Sequence, residues 1–260
     1  MDTGKKELLI IIPAYNEGKT IGALLDKLEQ PEIAEIADIL VMNDASKDNT
    51  ADIVRERNHT VITHVFNLGY GCGLQVGYKY AMRRGYKYII QMDADGQHDV
   101  CNIPVLYERL TTTDAEGNTP DIVLGSRFLE GSKTFPISAV KKLAIFLFRC
   151  LIKMGTGKTI LDPTTGLQGL NRRAFGFYAG YGHFDDKFPD ANMIMQMLML
   201  GFRVEEAPAV MHARTEGVSM HSGLKPIKYM FRMMFSIIAV WIRIKIYKVD
   251  VGATNEDAFS

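Results

Sequence analysis

The chain has 260 residues, of which 47% are hydrophobic and 23% charged, and its 30 basic and 30 acidic residues cancel to a formal net charge of zero. This composition is typical of a folded chain with a sizeable core, and it excludes a disordered or collagen-like protein. Zero net charge argues against a general nucleic-acid-binding protein, because no overall positive field collects phosphates. Three widely spaced cysteines argue against a disulfide framework or zinc site and favour a cytoplasmic location.

Apolar runs that alternate with helical patterns predict an α/β protein with an open, mostly parallel sheet. The first run, residues 8–12, is continuously apolar, which is typical of a strand buried on both faces, and it is too short for a signal peptide. Further extended segments are predicted at residues 39–42, 60–66, 88–92, 121–125, 166–170 and 203–211. Helices are predicted at about residues 21–28, 50–58, 73–84, 140–154, 192–200 and 225–248.

The same pattern divides the chain into a main domain and a C-terminal extension. Residues 1–222 form the predicted α/β domain, in which an insertion at about residues 128–158 interrupts the alternation of strands and helices. Residues 223–249 are predicted to form a basic amphipathic helix, and residues 250–260 a polar tail.

Polar loops follow four of the predicted strands, where ligands of open parallel sheets bind. In the fourth loop Asp93 and Asp95 are two residues apart in extended chain, so both side chains can reach one site. Two carboxylates, a diphosphate and an amide oxygen from Gln97 would suit Mg²⁺ or Mn²⁺. The alternative is a pair of turn or helix-capping aspartates. The position of the pair at the end of an apolar strand favours the metal site.

The second and third loops point to a nucleotide. Asp44 offers only hydrogen-bond acceptors, which suits a base or a ribose, although it can equally shape a turn. Gly69 and Gly71 in the third loop imitate a dinucleotide fingerprint, but Leu74 occupies the place of its third glycine. This mismatch argues against a pyridine-nucleotide site.

The four loop motifs, residues 11–17, 43–50, 67–77 and 93–98, together resemble those of the family 2 glycosyltransferases with the GT-A fold. Within that family, residues 121–127 and 162–166 resemble the branch of dolichyl- and polyprenyl-phosphate sugar transferases. The resemblance covers about residues 7–220. It implies a Rossmann-like GT-A sheet, a nucleotide-sugar donor and transfer with inversion.

The resemblance also implies roles for individual residues. The residues implied for the donor nucleotide are Pro13, Ala14, Tyr15, Glu17, Asp44 and Asp93. Those implied for the divalent metal are Asp93, Asp95 and Gln97, of which Asp95 is also catalytic. Those implied for an acceptor phosphate are Ser126, Arg127 and Arg214. Asp190 stands where relatives carry the catalytic base, and the alternative is that it caps the following helix.

Two basic amphipathic segments, residues 140–154 and 225–248, predict contact with a membrane. The second carries six cations and no acid, and its longest uncharged stretch has ten residues, well short of the ~20 needed to span a bilayer. We therefore expect these helices to lie on the cytoplasmic face of the cell membrane. The alternative is that they pack against each other or against a small membrane protein.

These observations lead to two hypotheses. The first is an inverting, metal-dependent glycosyltransferase that moves a sugar from a nucleotide sugar to a polyprenyl phosphate or a lipid-linked glycan, as in cell-envelope polysaccharide biosynthesis. The second is a non-catalytic nucleotide-sugar-binding scaffold that recruits a membrane partner. The metal-binding set together with Asp190 favours the enzyme, because a scaffold needs neither.

Overall fold

The computed structural model describes residues 6–213 and 225–247. The strands in this part of the chain are β1 (Leu8–Ala14), β2 (Ala37–Asn43), β3 (Thr60–Thr63), β4 (Tyr88–Gln91), β5 (Ile122–Ser126), β6 (Gln168–Asn171) and β7 (Val204–Pro208). The helices are α1 (Ile21–Leu28), α2 (Pro31–Ala34), α3 (Thr50–Glu56), α4 (Tyr70–Arg84), α5 (Asn102–Thr111), α6 (Ala139–Thr156), α7 (Arg172–Ala179), α8 (Ala191–Met199) and α9 (Lys225–Lys245).

Within these residues seven strands form one sheet, in the order β3-β2-β1-β4-β6-β5-β7. β1 pairs in parallel with β2 and β4, β2 with β3, and β5 with β7. β6 runs antiparallel to both of its neighbours, β4 and β5. The predicted open, mostly parallel sheet is confirmed, whereas the sequence pattern does not predict the reversed direction of β6.

Helices cover both faces of the sheet, which explains the continuous apolar runs of the central strands. Along β1, Leu9 and Ile11 face one core, and Leu8, Ile10 and Ile12 face the other, because side chains alternate along a strand. The first core receives side chains from α4, α6, α7, α8 and α9, and the second from α1, α2, α3 and α5. The sheet is therefore the middle of three layers.

The third strand is shorter than predicted. β3 ends at Thr63, although the apolar pattern continues to Phe66. Just after the strand, the His64 N–H still donates to the carbonyl of Asn43 at the end of β2, at 2.9 Å. The His64 Nδ1 lies 2.9 Å from a carboxylate oxygen of Asp44. Phe66 is exposed.

Three helices, α2, α5 and α7, are absent from the predicted pattern. α5 carries Pro104 in its first turn, where a proline removes no intrahelical hydrogen bond. α7 begins after Asn171, whose side chain accepts a hydrogen bond from the backbone N–H of Ala174. The other helices and strands lie close to their predicted positions.

The C-terminal helix α9 packs on the rest of the protein. Its buried Met233 and Ile237 share a core with Phe148 and Ile152 of α6. One side of each basic helix is thus used for packing and another side is exposed. Among the described helices, none has the length and apolarity that crossing a bilayer requires. The division of the chain at residue 222 stays a prediction, because residues 214–224 and 248–260 lie outside the described residues.

Candidate active site

The strand order reverses between β1 and β4, since β2 and β3 lie on one side of β1 and β4 lies on the other. These four strands are parallel, so the loops that follow them leave from the same edge of the sheet. Ligands of open parallel sheets bind at such a reversal. The four polar loops of the sequence are therefore brought to one crevice.

Hydrogen bonds join the first two loops into one wall of this crevice. The backbone N–H of Asn16 donates to Ser46 Oγ at 2.9 Å, and the Asn16 side chain accepts from the N–H of Lys47 at 2.8 Å. The N–H of Glu17 donates to Thr50 Oγ1 at 3.0 Å. The nucleotide residues predicted in the first loop, Pro13, Ala14, Tyr15 and Glu17, thus stand on a fixed backbone, with Tyr15 exposed.

Asp44 is buried between the second and third loops. Its carboxylate accepts hydrogen bonds from the backbone N–H groups of Leu68 at 2.8 Å and Gly69 at 2.9 Å, in addition to the contact with His64. These bonds assign Asp44 a loop-shaping role. A contact with the donor nucleoside stays a prediction, for which the carboxylate keeps further acceptor capacity.

The glycine-rich start of α4 packs against another loop. A Cβ on Gly71 would lie 2.0 Å from the carbonyl oxygen of Asp185, so only glycine fits this approach. The N–H of Cys72 donates to the carbonyl of Asp186 at 3.0 Å. Part of this helix N-terminus is therefore satisfied by the protein itself, in agreement with the argument against a pyridine-nucleotide site.

The candidate metal ligands follow β4 directly. One carboxylate oxygen of Asp93 accepts a hydrogen bond from the Tyr70 hydroxyl at 2.9 Å, and Asp95 accepts one from the N–H of Gln97 at 3.0 Å. A Cβ on Gly166 would lie 2.7 Å from the other oxygen of Asp93, so this glycine lets the loop before β6 approach the carboxylate. Asp93 and Asp95 are both oriented by local contacts.

The donor set fits a divalent metal only together with a ligand. Within residues 6–213 and 225–247, no three His, Cys, Asp or Glu side chains are gathered closely enough to hold a metal ion. Two carboxylates and the amide of Gln97 are hard oxygen donors, and Mg²⁺ and Mn²⁺ commonly complete such a set with substrate phosphate oxygens. The residues present therefore suit a metal that arrives with a diphosphate.

Asp190 precedes α8 without capping it, since within the described residues its side chain makes no cap hydrogen bond. Instead, its carboxylate accepts a hydrogen bond from the Tyr229 hydroxyl on α9. Burial raises the pKa of Asp190 to about 7, although Tyr229 and the charge of Arg127 favour the ionised form. The capping alternative is not supported, and a carboxyl group that can exchange protons near neutral pH stands at this place.

Arg127 forms a buried ion pair with Asp162. Its Nε and Nη2 donate to the two carboxylate oxygens at 2.7 and 2.6 Å, and Nη2 also donates to Thr164 Oγ1 at 2.7 Å. Ser126 is fully buried. A contact of either residue with an acceptor phosphate stays a prediction. Arg214, the third predicted residue, lies outside the described residues.

Two residues hold the loop before β6, around residues 161–162, through contacts that the sequence pattern does not predict. The carboxylate of Glu206 on β7 accepts hydrogen bonds from the N–H groups of Leu161 and Asp162, each at 2.7 Å, and Nε of Arg149 on α6 donates to the carbonyl of Leu161. The sequence suggests surface charge for Glu206, because strand-edge glutamates usually face solvent. No local pattern links it to a loop 44 residues away.

Lys141 lies on α6, which the sequence predicts to face a membrane, but its charge acts on the candidate site. Burial lowers its pKa, as does the charge of Arg127, whereas Asp162, Asp190 and Asp93 oppose this. The ammonium group thus lies in the electrostatic field of both the metal-binding loop and the Asp190 region. Its neighbour Lys142 is exposed.

The comparisons with known proteins agree with this geometry. The sequence profile of the family described as "Glycosyl transferase family 2" matches residues 9–177. An undecaprenyl-phosphate mannosyltransferase of Micrococcus luteus is 29% identical over 230 residues, which cover 83% of this chain and 88% of that protein. A polyprenol monophosphomannose synthase of Mycolicibacterium smegmatis is 28% identical over 240 residues, covering 86% and 84% of the two chains.

Solved structures with the same fold include the glucosyl-3-phosphoglycerate synthase of Mycobacterium tuberculosis in complex with Mn²⁺, UDP and glucosyl-3-phosphoglycerate. The TM-score is 0.62 at 16% identity, covering 91% of this chain and 79% of that one. At this identity the likeness establishes the GT-A fold alone. The family match over residues 9–177 shows that the chain belongs to glycosyl transferase family 2 and is a glycosyltransferase.

Proposed function

We propose that this enzyme transfers a sugar, with inversion, from a nucleotide-sugar donor to a polyprenyl phosphate, with Mg²⁺ or Mn²⁺ bound between donor and protein. The observation that carries the proposal is the electrostatic influence of Arg127, Asp190 and Asp93 on Lys141 of α6, which adds positive charge in the field of the metal-binding loop. The similarity to the undecaprenyl-phosphate mannosyltransferase of Micrococcus luteus and the polyprenol monophosphomannose synthase of Mycolicibacterium smegmatis supports the same acceptor class.

The donor would occupy the crevice at the ends of β1 to β4. The wall around Asn16 and Ser46 would carry the nucleoside, and Asp93, Asp95 and Gln97 would hold the metal with the diphosphate. A divalent cation held there would stabilise negative charge on the departing nucleoside diphosphate. Tyr70 would keep Asp93 in position through its hydrogen bond of 2.9 Å.

The acceptor phosphate would be held from the other side. Lys141 would contact the phosphate directly. Arg127, which is paired with Asp162, would attract the phosphate by its charge without contacting it. A phosphate monoester loses its second proton with a pKa of about 6. The pKa of Asp190 is about 7, so this carboxylate can take up that proton and leave the nucleophilic oxygen fully ionised.

The direct test is transfer of radiolabelled sugar from a panel of nucleotide sugars to a short-chain polyprenyl phosphate, with and without Mn²⁺. We expect a lipid product that requires one of the donors and the metal. Lys141→Met should raise the KM for the lipid phosphate, and Lys27→Met, on an exposed part of α1, serves as the control. No lipid product with any donor would overturn the proposed acceptor.

A lipid-linked glycan is the second candidate acceptor, and the raised pKa of Asp190 is the observation that favours it. A sugar hydroxyl must lose its proton in the transition state, so Asp190→Asn should then lower kcat by about 10² to 10⁴. A phosphate acceptor is largely ionised at pH 8, and there the same substitution should have a small effect. The size of the loss at pH 8 separates the two acceptors.

We further propose that α6 and α9 attach the enzyme to the cytoplasmic face of the cell membrane. Their outer sides expose large apolar residues, including Phe146 (59% exposed) and Phe235 (69% exposed). An apolar groove of about 230 Å³ between the two helices is lined by Met154, Ile238 and Trp241, among others. Exposed cations such as Lys142, Lys153, Lys228 and Arg232 accompany these side chains, and a basic amphipathic surface binds anionic lipid.

Flotation of the full chain with anionic vesicles tests this attachment. We expect binding at low salt that weakens as the Debye length falls, and loss of binding in Phe146→Ser combined with Phe235→Ser. Val105→Ser, at an exposed apolar position on α5, is the matched control. Equal binding of both variants would contradict attachment through α6 and α9.

A further inference from the structure

We propose that Tyr229 is a positioning residue for Asp190, so that the C-terminal helix α9 completes the active site in addition to covering the core. The inference rests on the proposed function, in which Asp190 accepts the acceptor's proton. It starts from one contact: the Tyr229 hydroxyl donates a hydrogen bond to Oδ2 of Asp190 across 39 residues of sequence.

The ring that carries this hydroxyl is fixed on two sides. Phe148 of α6 meets it edge to face, with ring centroids 6.4 Å apart, and Phe188 lies at 6.3 Å on the other side. The guanidinium of Arg232, one turn further along α9, lies 4.2 Å from the centre of the Phe188 ring. A ring held in this way presents its hydroxyl in one direction, so the donor is oriented before any substrate binds.

The backbone of Asp190 is held by the same helix. Its N–H donates to the side-chain oxygen of Asn192 at 2.9 Å, and the Asn192 amide donates to Ser236 Oγ of α9 at 2.9 Å. α9 therefore contacts Asp190 through a chain of two hydrogen bonds to its backbone and one to its carboxylate. Holding the backbone in place would need only the two hydrogen bonds through Asn192. The bond to the carboxylate acts on the side chain that would take the proton.

The hydroxyl also acts on the charge of Asp190. A donor to the carboxylate favours the ionised form, whereas burial favours the neutral form. The other titratable groups whose charges act on this carboxylate or respond to it come from four further elements of the site. They are Arg127 after β5, Asp162 before β6, Lys141 on α6 and Tyr70 on α4. Because these are unchanged by a substitution at Tyr229, removal of its hydroxyl should raise the pKa of Asp190.

The first experiment measures this proton without any substrate. Full-length protein labelled with ¹³C at the aspartate carboxyl carbons is titrated by NMR, and the Asp190 signal is identified by its absence in Asp190→Asn. We expect a midpoint near neutral pH in the wild type and a higher midpoint in Tyr229→Phe, about tenfold in the ionisation constant for one hydrogen bond to a charged group. Tyr247→Phe, an exposed tyrosine beyond the end of α9, should leave the midpoint unchanged.

A wild-type measurement needs no substitution. With ¹³C at the tyrosine Cζ carbons, the Tyr229 signal should shift with the same midpoint as Asp190. Titration of Asp190 with no response from Tyr229, or the same Asp190 midpoint in folded Tyr229→Phe and wild type, would overturn the inference.

The second experiment measures kcat for transfer as a function of pH. In Tyr229→Phe the acidic limb should move to higher pH while the donor KM stays constant. A loss of the same size at every pH would indicate a merely structural residue and would overturn the positioning role. If the NMR midpoints shift as expected but the wild type transfers sugar to no acceptor, the proposed function fails and the Tyr229–Asp190 coupling stands.

Discussion

The two sides of the crevice are built in different ways. On the proposed donor side, at the ends of β1 to β4, polar residues bind mostly backbone groups of neighbouring loops, as Asp44 does with Leu68 and Gly69. On the proposed acceptor side, around Arg127 and Asp190, side chains bind each other across long stretches of chain. Arg127 and Asp162 are 35 residues apart, and Asp190 and Tyr229 are 39 apart.

The first side is held mainly by hydrogen bonds that fix the shape of the loops, and the second mainly by interactions that involve charged side chains. The donor side is a hydrogen-bonded wall, so substitutions there should act mainly on donor binding. The acceptor side is a set of charged groups with little exposure to solvent. Removal of one member of a pair there lowers the stability of the fold, and each charge changes the pKa of its neighbours. The following expected outcomes test that contrast, beginning with the largest effect.

Asp162→Ala should have the largest effect on stability. It leaves the guanidinium of Arg127, which is 5% exposed, without its carboxylate partner, and removal of one member of a buried pair costs about 3–5 kcal/mol. Chemical denaturation measures this loss. Asp26→Ala, which breaks the exposed ion pair with Arg57, should cost at most about 1 kcal/mol. Similar losses in both variants would contradict the contrast between the buried and exposed pairs.

Asp95→Asn should have the largest effect on transfer. The amide keeps an oxygen that can accept the hydrogen bond from the Gln97 N–H, so the loop and the stability should be retained. Loss of the metal-directed charge should lower kcat by about 10² to 10³ or more. Asp99→Asn is the control, because Asp99 is not among the proposed metal ligands. Its carboxylate accepts a hydrogen bond from the N–H of Cys101 and pairs with His212. Normal turnover of Asp95→Asn at saturating Mn²⁺ would exclude Asp95 as a metal ligand.

The donor side could be predicted from the sequence because its signals are local. An apolar strand followed by Asp93 and Asp95, or by Asn43 and Asp44, fixes both the position and the neighbours of those side chains once the sheet is parallel. Even there, the predicted end of β3 at Phe66 is wrong, because the apolar residues Val65 and Phe66 extend the pattern beyond the last strand residue, Thr63.

The acceptor side could not be predicted in the same way. The sequence marks Arg127 as a phosphate ligand by resemblance, but its pairing with Asp162 depends on the antiparallel course of β6, which no short pattern specifies. Lys141 was assigned to a membrane surface because helix α6 is amphipathic as a whole. Its electrostatic coupling to Asp190 follows from the packing of α6 on α8 and α9, which a single sequence does not reveal.

Glu206→Gln tests the support of the loop that carries Asp162, with a smaller effect. Each oxygen of Glu206 accepts one backbone N–H of that loop. Glutamine offers one oxygen and leaves one N–H without its acceptor, at a cost of about 1–3 kcal/mol. Glu205→Gln is the matched control on the same strand, because Glu205 forms a partly exposed ion pair with Arg109. Denaturation curves in which both variants lose the same stability would show that Glu206 is surface charge.

Asp44→Asn should have the smallest effect, and it should fall on the donor alone. The amide cannot accept from both the Leu68 and Gly69 N–H groups as the carboxylate does, so the third loop shifts slightly against the nucleoside. Contacts remote from the anomeric carbon stabilise ground and transition states alike, so we expect the donor KM to rise by up to about tenfold with little change in kcat. Calorimetric titration of the nucleotide should show the same weakening, whereas Asp52→Asn, on an exposed part of α3, should not. If nucleotide binding is unchanged in Asp44→Asn, Asp44 only shapes the loop, and the donor wall must recognise the nucleoside through its other residues.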